Sequence, residues 1–210
     1  MDCEAFSIFY FKEAELKLLL AGLGVHTWYG IFSEKDSVGR DFKQKYHQIL
    51  AELYQKDVIN WKNDQISVKK PYADMISLML AQKKCVTIES EQEQYPKQCG
   101  YIHLENVVVT RKSQREEHTL SLQQMRISQW LQSLEEEICS LEDRQSLSIC
   151  CRNSFNGQEL EHIKICQKGI RTYLNENTFY QKQALRRKME EWAEPSFLKA
   201  RQGIQGGKPE

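Results

Sequence analysis

The sequence predicts an α+β protein: an N-terminal helical unit with a small hairpin, winged-helix-like in its order, then a central antiparallel β-sheet packed by helices, then a helical C-terminal region. Three observations lead there. Before Lys84 the apolar residues fall mainly in blocks with three- and four-residue spacing, the period of one helix face. From Cys85 to Leu122 they alternate with polar residues or run as β-branched stretches, as strand residues do. From Gln158 the helical spacing returns.

In residues 11–23, Leu16, Leu18, Leu19, Leu20 and Leu23 stand among Glu13, Glu15 and Lys17, which suits a short helix ended by Gly22 or Gly24. The stretch "HTWYGIFSEKDSVG" mixes turn formers and aromatics and reads as a loop. From Arg40 to about Lys56, Phe42, Tyr46, Ile49, Leu50 and Leu53 mark one face of an amphipathic helix. "DVINWKNDQISVKK" reads as a hairpin turning at Asn63-Asp64, with Val58, Ile59 and Trp61 on one arm and Ile66 and Val68 on the other. Pro71 suits the first turn of the helix "PYADMISLMLAQKK", because a proline there loses no internal hydrogen bond.

"CVTIES" is a strand and "EQEQYPKQCG" a polar loop. Ile102 and Leu104, then Val107 to Val109, then Leu120 and Leu122 mark adjacent strands, with the polar "TRKSQREE" as a hairpin tip. "ISQWLQSLEEEICSLE" sets Ile127, Trp130, Leu131, Leu134, Ile138 and Leu141 at helical spacing, an amphipathic helix behind the sheet. "LSICC" is one more strand. Ile163, Cys166, Ile170, Tyr173 and Leu174 then predict helix from Gln158 to about Trp192, broken near "NENTF". The division falls near Lys84, giving a helical unit over 1–84, sheet and packing helices over 85–195, and a disordered tail over 196–210.

The 29 Lys and Arg balance 29 Asp and Glu, so no overall field draws the chain to nucleic acid or an anionic membrane, and such contact needs a local patch. A chain of 210 residues buries a substantial core without metals or disulfides. No apolar run approaches the roughly 20 residues that span a bilayer. The N-terminal stretch has acids among its apolar residues and no basic leader, which reads as a cytoplasmic, unprocessed chain. Seven cysteines, an odd number in no regular framework, fit a reducing compartment.

Cys150, Cys151, His162 and Cys166 are zinc-binding types, with His162 and Cys166 four apart on the expected helix. Adjacent cysteines in a strand point to opposite faces, however, so buried thiols are the better reading. Glu116, Glu117 and His118, with His103 on a neighbouring strand, resemble an acid-base group, but residues of a hairpin rim stay hydrated. No nucleophile elbow, phosphate-binding glycine loop or zinc-protease motif is present, so the expectation is a non-enzyme without a cofactor. Helix, helix, hairpin, helix also fits a DNA-binding winged-helix regulator, with Arg40, Lys43, Lys45 and Lys56 on the groove-reading helix.

The stretches "EAELKLLLAGLGV", "ILAELYQKDVINWKNDQISV", "PYADMISLMLAQKK" and "CGYIHLENVVVTRKSQREEHTLSLQQM" running into "RISQWLQSLEEE" resemble, over roughly residues 8–140, the EspG-like substrate chaperones of type VII (ESX) secretion. That resemblance implies a cytosolic, non-enzymatic protein that keeps a secreted helical-hairpin substrate soluble until export, with the secretion ATPase as a further partner. The family's substrate-binding loop lies between strands of its sheet. The matching place here is the tip holding Arg111, Lys112, Gln114, Arg115, Glu116 and Glu117. "WYG" at Trp28 to Gly30 and the Tyr101-Glu105 spacing match motifs of the exported substrates in a different structural setting, and read as coincidence.

Overall fold

The computed structural model describes residues 8–31, 40–63, 65–90, 97–113, 116, 118–169, 171–175 and 178–192, with backbone alone for 40–44. In chain order the elements are β1 (Ile8–Lys12), α1 (Glu13–Gly22), α2 (Arg40–Gln55), β2 (Ile59–Lys62), β3 (Gln65–Val68), α3 (Tyr72–Leu80), β4 (Lys84–Ser90), β5 (Gln98–His103), β6 (Asn106–Lys112) and β7 (Thr119–Arg126). There follow α4 (Ile127–Cys139), β8 (Ser146–Asn153), β9 (Glu159–Lys168), β10 (Arg171–Leu174), β11 (Thr178–Phe179) and α5 (Lys182–Trp192).

Nine of these strands form one antiparallel sheet in the order β1-β7-β6-β5-β4-β8-β9-β10-β11, and β2 and β3 form a separate hairpin. Successive strand residues point to opposite faces, so each central strand supplies two cores. Cys85, Cys99, Tyr101, Val108, Leu120 and Leu122 face one core with α1, α2, α3 and the base of the hairpin. Val86, Ile88, Ile102, Val107, Val109 and Met125 face the other, under α4 and α5. The amphipathic helices close those faces: Leu16 and Leu20 of α1 and Leu53 of α2 on the first, Trp130 and Leu134 of α4 and Leu185 and Met189 of α5 on the second.

The expected fold class needs correction. The C-terminal region is not helical from Gln158: β9, β10 and β11 fill it, and helix begins only at Lys182. In β9, Ile163 and Ile165 point into the second core while His162 before them and Lys164 between them point away, so the residues alternate. Asn153 and Gly169 turn the chain between antiparallel neighbours, and the sheet grows to nine strands. The N-terminal unit is not wholly helical either. Ile8–Lys12 is a strand paired with β7, from Ile8 opposite Gln123 to Lys12 opposite Thr119. Phe9 and Phe11 on its inner side pack against Tyr72 of α3, with ring centroids 4.6 and 5.9 Å away. None of the described helices is long and apolar enough to cross a membrane.

Candidate functional site

Strands β8 to β11 add no residue to the core beneath α1, α2 and α3. Pairing nonetheless places Ser148 beside Lys164, Cys150 beside His162, Lys168 beside Arg171 and Tyr173 beside Phe179, all on that first face. Half of one sheet face therefore bears charged, polar and aromatic side chains, while the reverse of the same strands is core.

The "WYG" turn closes the border between the covered and open halves. The buried Trp28 indole lies 5.8 Å from the Tyr101 ring and meets Phe155 edge-on at 5.0 Å. Tyr101 donates its hydroxyl hydrogen to the Tyr29 carbonyl at 3.1 Å, and the Tyr29 amide donates to the Ser154 carbonyl at 2.8 Å. Gly30 is required twice over: its φ is +81°, and a Cβ there would lie 2.8 Å from Cys99 Sγ. "WYG" is thus a structural plug in this fold.

Beside it sits an ion pair. Arg152 donates from Nε to Glu89 Oε1 at 2.8 Å and from Nη2 to Glu89 Oε2 at 3.1 Å, the two-pronged geometry that suits a guanidinium. Nη2 also lies 3.1 Å from Glu159 Oε2, Nη1 donates to the Gly157 carbonyl, and the guanidinium stands 5.5 Å from the centre of the Tyr29 ring. Burial works to raise the Glu89 carboxyl, but the hydrogen bonds from Arg152 and Thr87 outweigh it and hold the group below its ordinary value. Burial raises the Tyr29 phenol. Glu89 and Arg152 thus anchor β4 to β8, while Trp28 Nε1 and Ser154 Oγ beside them are buried without a hydrogen-bond partner.

Outward from it, His162 Nε2 lies 3.1 Å from Ser148 Oγ. Farther on, the Tyr173 and Phe179 rings stack with centroids 5.3 Å apart and planes at 27°. Lys168 Nζ is 5.5 Å from the Tyr173 ring centre and the Arg171 guanidinium 5.6 Å from that of Phe179. The arrangement offers cations and aromatic rings on one sheet face, the equipment of recognition. Burial pushes the Cys99 and Cys150 thiols up to about 12 and Cys151 to about 11, so these sulfurs stay protonated and poorly nucleophilic at neutral pH.

Of the residues expected at the β6–β7 tip, Gln114, Arg115 and Glu117 lie outside the described residues. Arg111 points onto the second face, where its Nε donates to Gln98 Oε1 at 3.2 Å, and burial lowers its guanidinium value. The same Gln98 oxygen accepts from Trp130 Nε1 at 3.0 Å, so Arg111 helps seat α4. Lys112 ends β6 with its side chain exposed. Glu116 accepts from Thr119 Oγ1 at 3.3 Å, within the turn. The tip abuts the start of α1, where the Glu13 amide donates to the His118 carbonyl at 2.8 Å. From β6 to β9 is four strand spacings, roughly 19 Å, so tip and open half are separate surfaces.

The other candidates disperse. Cys150 and Cys151 do point to opposite faces, with Cys151 in the second core, and His162 and Cys166 lie on a strand instead of a helix. Among the described residues no group of three or more His, Cys, Asp or Glu is placed to hold a metal. His103 bonds Gln82 at 2.9 Å at one end of the sheet, while His118 lies 3.8 Å from Glu13 at the other. On α2 Lys45 is exposed and the side chains of Arg40 and Lys43 lie outside the described residues, while Lys56, just past the helix, binds the fully buried Glu15 at 2.7 Å. The residues missed from sequence are Glu89, Arg152, Lys168, Arg171, Tyr173 and Phe179. Of these only Lys168 had a local signal, the alternation in "EHIKICQK" that leaves His162, Lys164, Cys166 and Lys168 on one side. No model of a known protein family matches the chain, and no curated protein matches it.

Proposed function

We propose that this chain is a non-enzymatic adaptor that binds an export substrate of type VII secretion in the cytoplasm and keeps it soluble, as the resemblance to EspG-like chaperones implies. The observation that carries the reading is the asymmetry of the sheet. One face is core from β7 across to β9 but not over β1, where Ile8 and Tyr10 are exposed, and the other is core only over β1 and β4–β7, leaving β8–β11 as a chemically mixed platform. A partner protein needs such a surface, with ring area for apolar contact and a charged surround for specificity. The protonated thiols and dispersed histidines support the same reading.

The test is co-expression with each small helical-hairpin protein encoded beside this gene, followed by size-exclusion chromatography. The expected result is a stable co-eluting complex with at least one of them. Separate elution of every neighbour refutes the proposal.

A further inference from the structure

We infer that β1 is the contact edge of a homodimer, in which a second copy of this chain lays its own β1 antiparallel to this one and joins the two sheets. The inference goes beyond the adaptor reading and does not rest on it. Hydrogen bonding shows which groups of β1 are free. The Glu13 amide donates to the His118 carbonyl at 2.8 Å, and the Ser113 amide donates to the Thr119 carbonyl at 2.7 Å. On β7, therefore, even-numbered residues turn their backbone groups to β1 and odd-numbered ones to β6. Phe9 and Phe11, opposite Leu122 and Leu120, bond β7, whereas the amides and carbonyls of Ile8 and Tyr10 point outward from the sheet. The same two residues expose their side chains, Ile8 by 47% and Tyr10 by 59%.

Lys12 closes this free edge. Its amide donates to Glu15 Oε2 at 2.7 Å, and its ammonium meets Glu52 of α2 at 2.7 Å. The other margin of the sheet is blunted against strand pairing. β10 pairs with β9 only from Ile165 to Lys168; next to that stretch Asn175 bonds both the amide and the carbonyl of Lys164, and Glu159 and Glu161 place charges on the exposed end of the strand. An edge that instead presents isoleucine and tyrosine is a template for another strand.

A second copy fits that template residue for residue. Antiparallel pairing about a two-fold axis at Phe9 sets Ile8 opposite Tyr10 of the second copy, and Tyr10 opposite its Ile8. Every outward amide and carbonyl of these residues then finds a partner, and none needs the Lys12 amide that Glu15 already holds. Moving the axis to Tyr10 would set Ile8 opposite Lys12 and lose a bond at each end. On the second face the pairing makes isoleucine–tyrosine neighbours, the β-branched and aromatic combination that stabilises sheets. Zero net charge leaves no long-range repulsion between copies. A contact of one short strand is small, below about 1,200 Å² in total, so the dimer is weak and forms with rising concentration.

The test is sedimentation velocity of the full chain from about 1 to about 200 μM, where the weight-average mass should rise towards twice that of the monomer. Ile8→Lys/Tyr10→Lys puts like charges opposite each other at residues outside the core, and should weaken dimerisation at least about tenfold. Ile66→Lys, at a similarly exposed apolar position on the separate hairpin, should dimerise as wild type does. Register is read by cross-linking in chains with Cys3 and the exposed Cys139 replaced by serine. Ile8→Cys and Tyr10→Cys chains mixed together should form a disulfide, since directly opposed Cα atoms lie about 5.5 Å apart. Either chain alone should not, because its cysteines stand two residues out of register, beyond the roughly 7 Å that a disulfide spans. A chain that stays monomeric at about 200 μM, which would leave the edge to a strand of another protein, overturns the inference. So does undiminished dimerisation of Ile8→Lys/Tyr10→Lys, its loss in Ile66→Lys, or cross-linking of one chain alone as strong as in the mixture.

Discussion

Replacing Gly100 by Ala tests the packing of the second face at its tightest point. Gly100 lies on β5 beneath Trp130 of α4, and a Cβ there would come within 2.4, 2.7 and 2.9 Å of three indole carbons. The ring cannot simply retreat: Trp130 is fully buried, and its Nε1 donates to Gln98 Oε1 at 3.0 Å from the same strand. Overpacking of this kind costs about 1–3 kcal/mol. Stretching the indole bond adds about 1 kcal/mol, and removing a strand glycine returns about 0.5–1 kcal/mol. The net expectation is a loss of about 2 kcal/mol, or roughly 4–8 °C in Tm for a chain of this size. Urea unfolding followed by far-ultraviolet circular dichroism would measure it, with an unchanged dependence on denaturant. Trp130→Leu removes most of the clashing ring, so adding Gly100→Ala to it should cost at least about 1 kcal/mol less than in the wild type. A Gly100→Ala protein within about 0.5 kcal/mol of wild type, or a strictly additive double variant, would refute the contact.

Two further outcomes follow from the open half and the buried thiols. Glu89→Gln should destabilise by about 1–3 kcal/mol at neutral pH, because Arg152 loses its charged two-pronged partner. The folded-state value of Glu89 is depressed, so its contribution is present above the ordinary value of 4.5 and disappears as pH falls through the folded value. The gap between wild type and variant should therefore shrink as pH is lowered below 4.5, and a gap that stays constant down to the onset of acid unfolding contradicts the pairing. Iodoacetamide at about pH 8 should alkylate the exposed Cys139 quickly, and Cys85, Cys99, Cys150, Cys151 and Cys166 only in denaturant. Rapid native labelling of Cys150, read by peptide mass spectrometry, would be incompatible with a thiol near 12.

Helices and sheet strands with a single apolar face were legible before the structure. Arg40–Gln55 and Ile127–Cys139 announce themselves because only one side is buried, and the period of the burial is the period of the helix. β1 hid because both of its sides carry large apolar residues: Phe9 and Phe11 inward, Ile8 and Tyr10 outward. Its partner β7 is more than 100 residues away, beyond any local pattern. The C-terminal strands were lost to a coincidence of spacing. Ile163 and Cys166 are three apart, as on a helix, but in β9 they face opposite sides, and the telling pair is Ile163 with Ile165. The candidate loop was legible as a hairpin tip. The open half was not, because which part of a face the helices cover depends on strand order, and strand order is set by long-range pairing.

The same two-faced arrangement explains how a sheet can leave half a face charged and remain folded. On β8 and β9 the second face carries Leu147, Ile149, Cys151, Ile163 and Ile165, packed with Leu185, Met189 and Trp192 of α5. Lys188 of α5 reaches Glu161 of β9 at 2.5 Å, and Lys182 pairs with Glu135, tying α5 to α4. Stability in this half thus comes almost wholly from one side, at about 25 cal/mol for each Å² of apolar surface removed from water. Glu89 and Arg152 supply the link on the other side, where an apolar core would have hidden the platform. Substitutions at Lys168, Arg171 or Phe179 therefore have little folding energy to lose, whereas shortening Leu185 or Met189 should cost about 2–5 kcal/mol. Residues on the two sides of one strand can consequently be altered for different ends, binding on the first face and stability on the second.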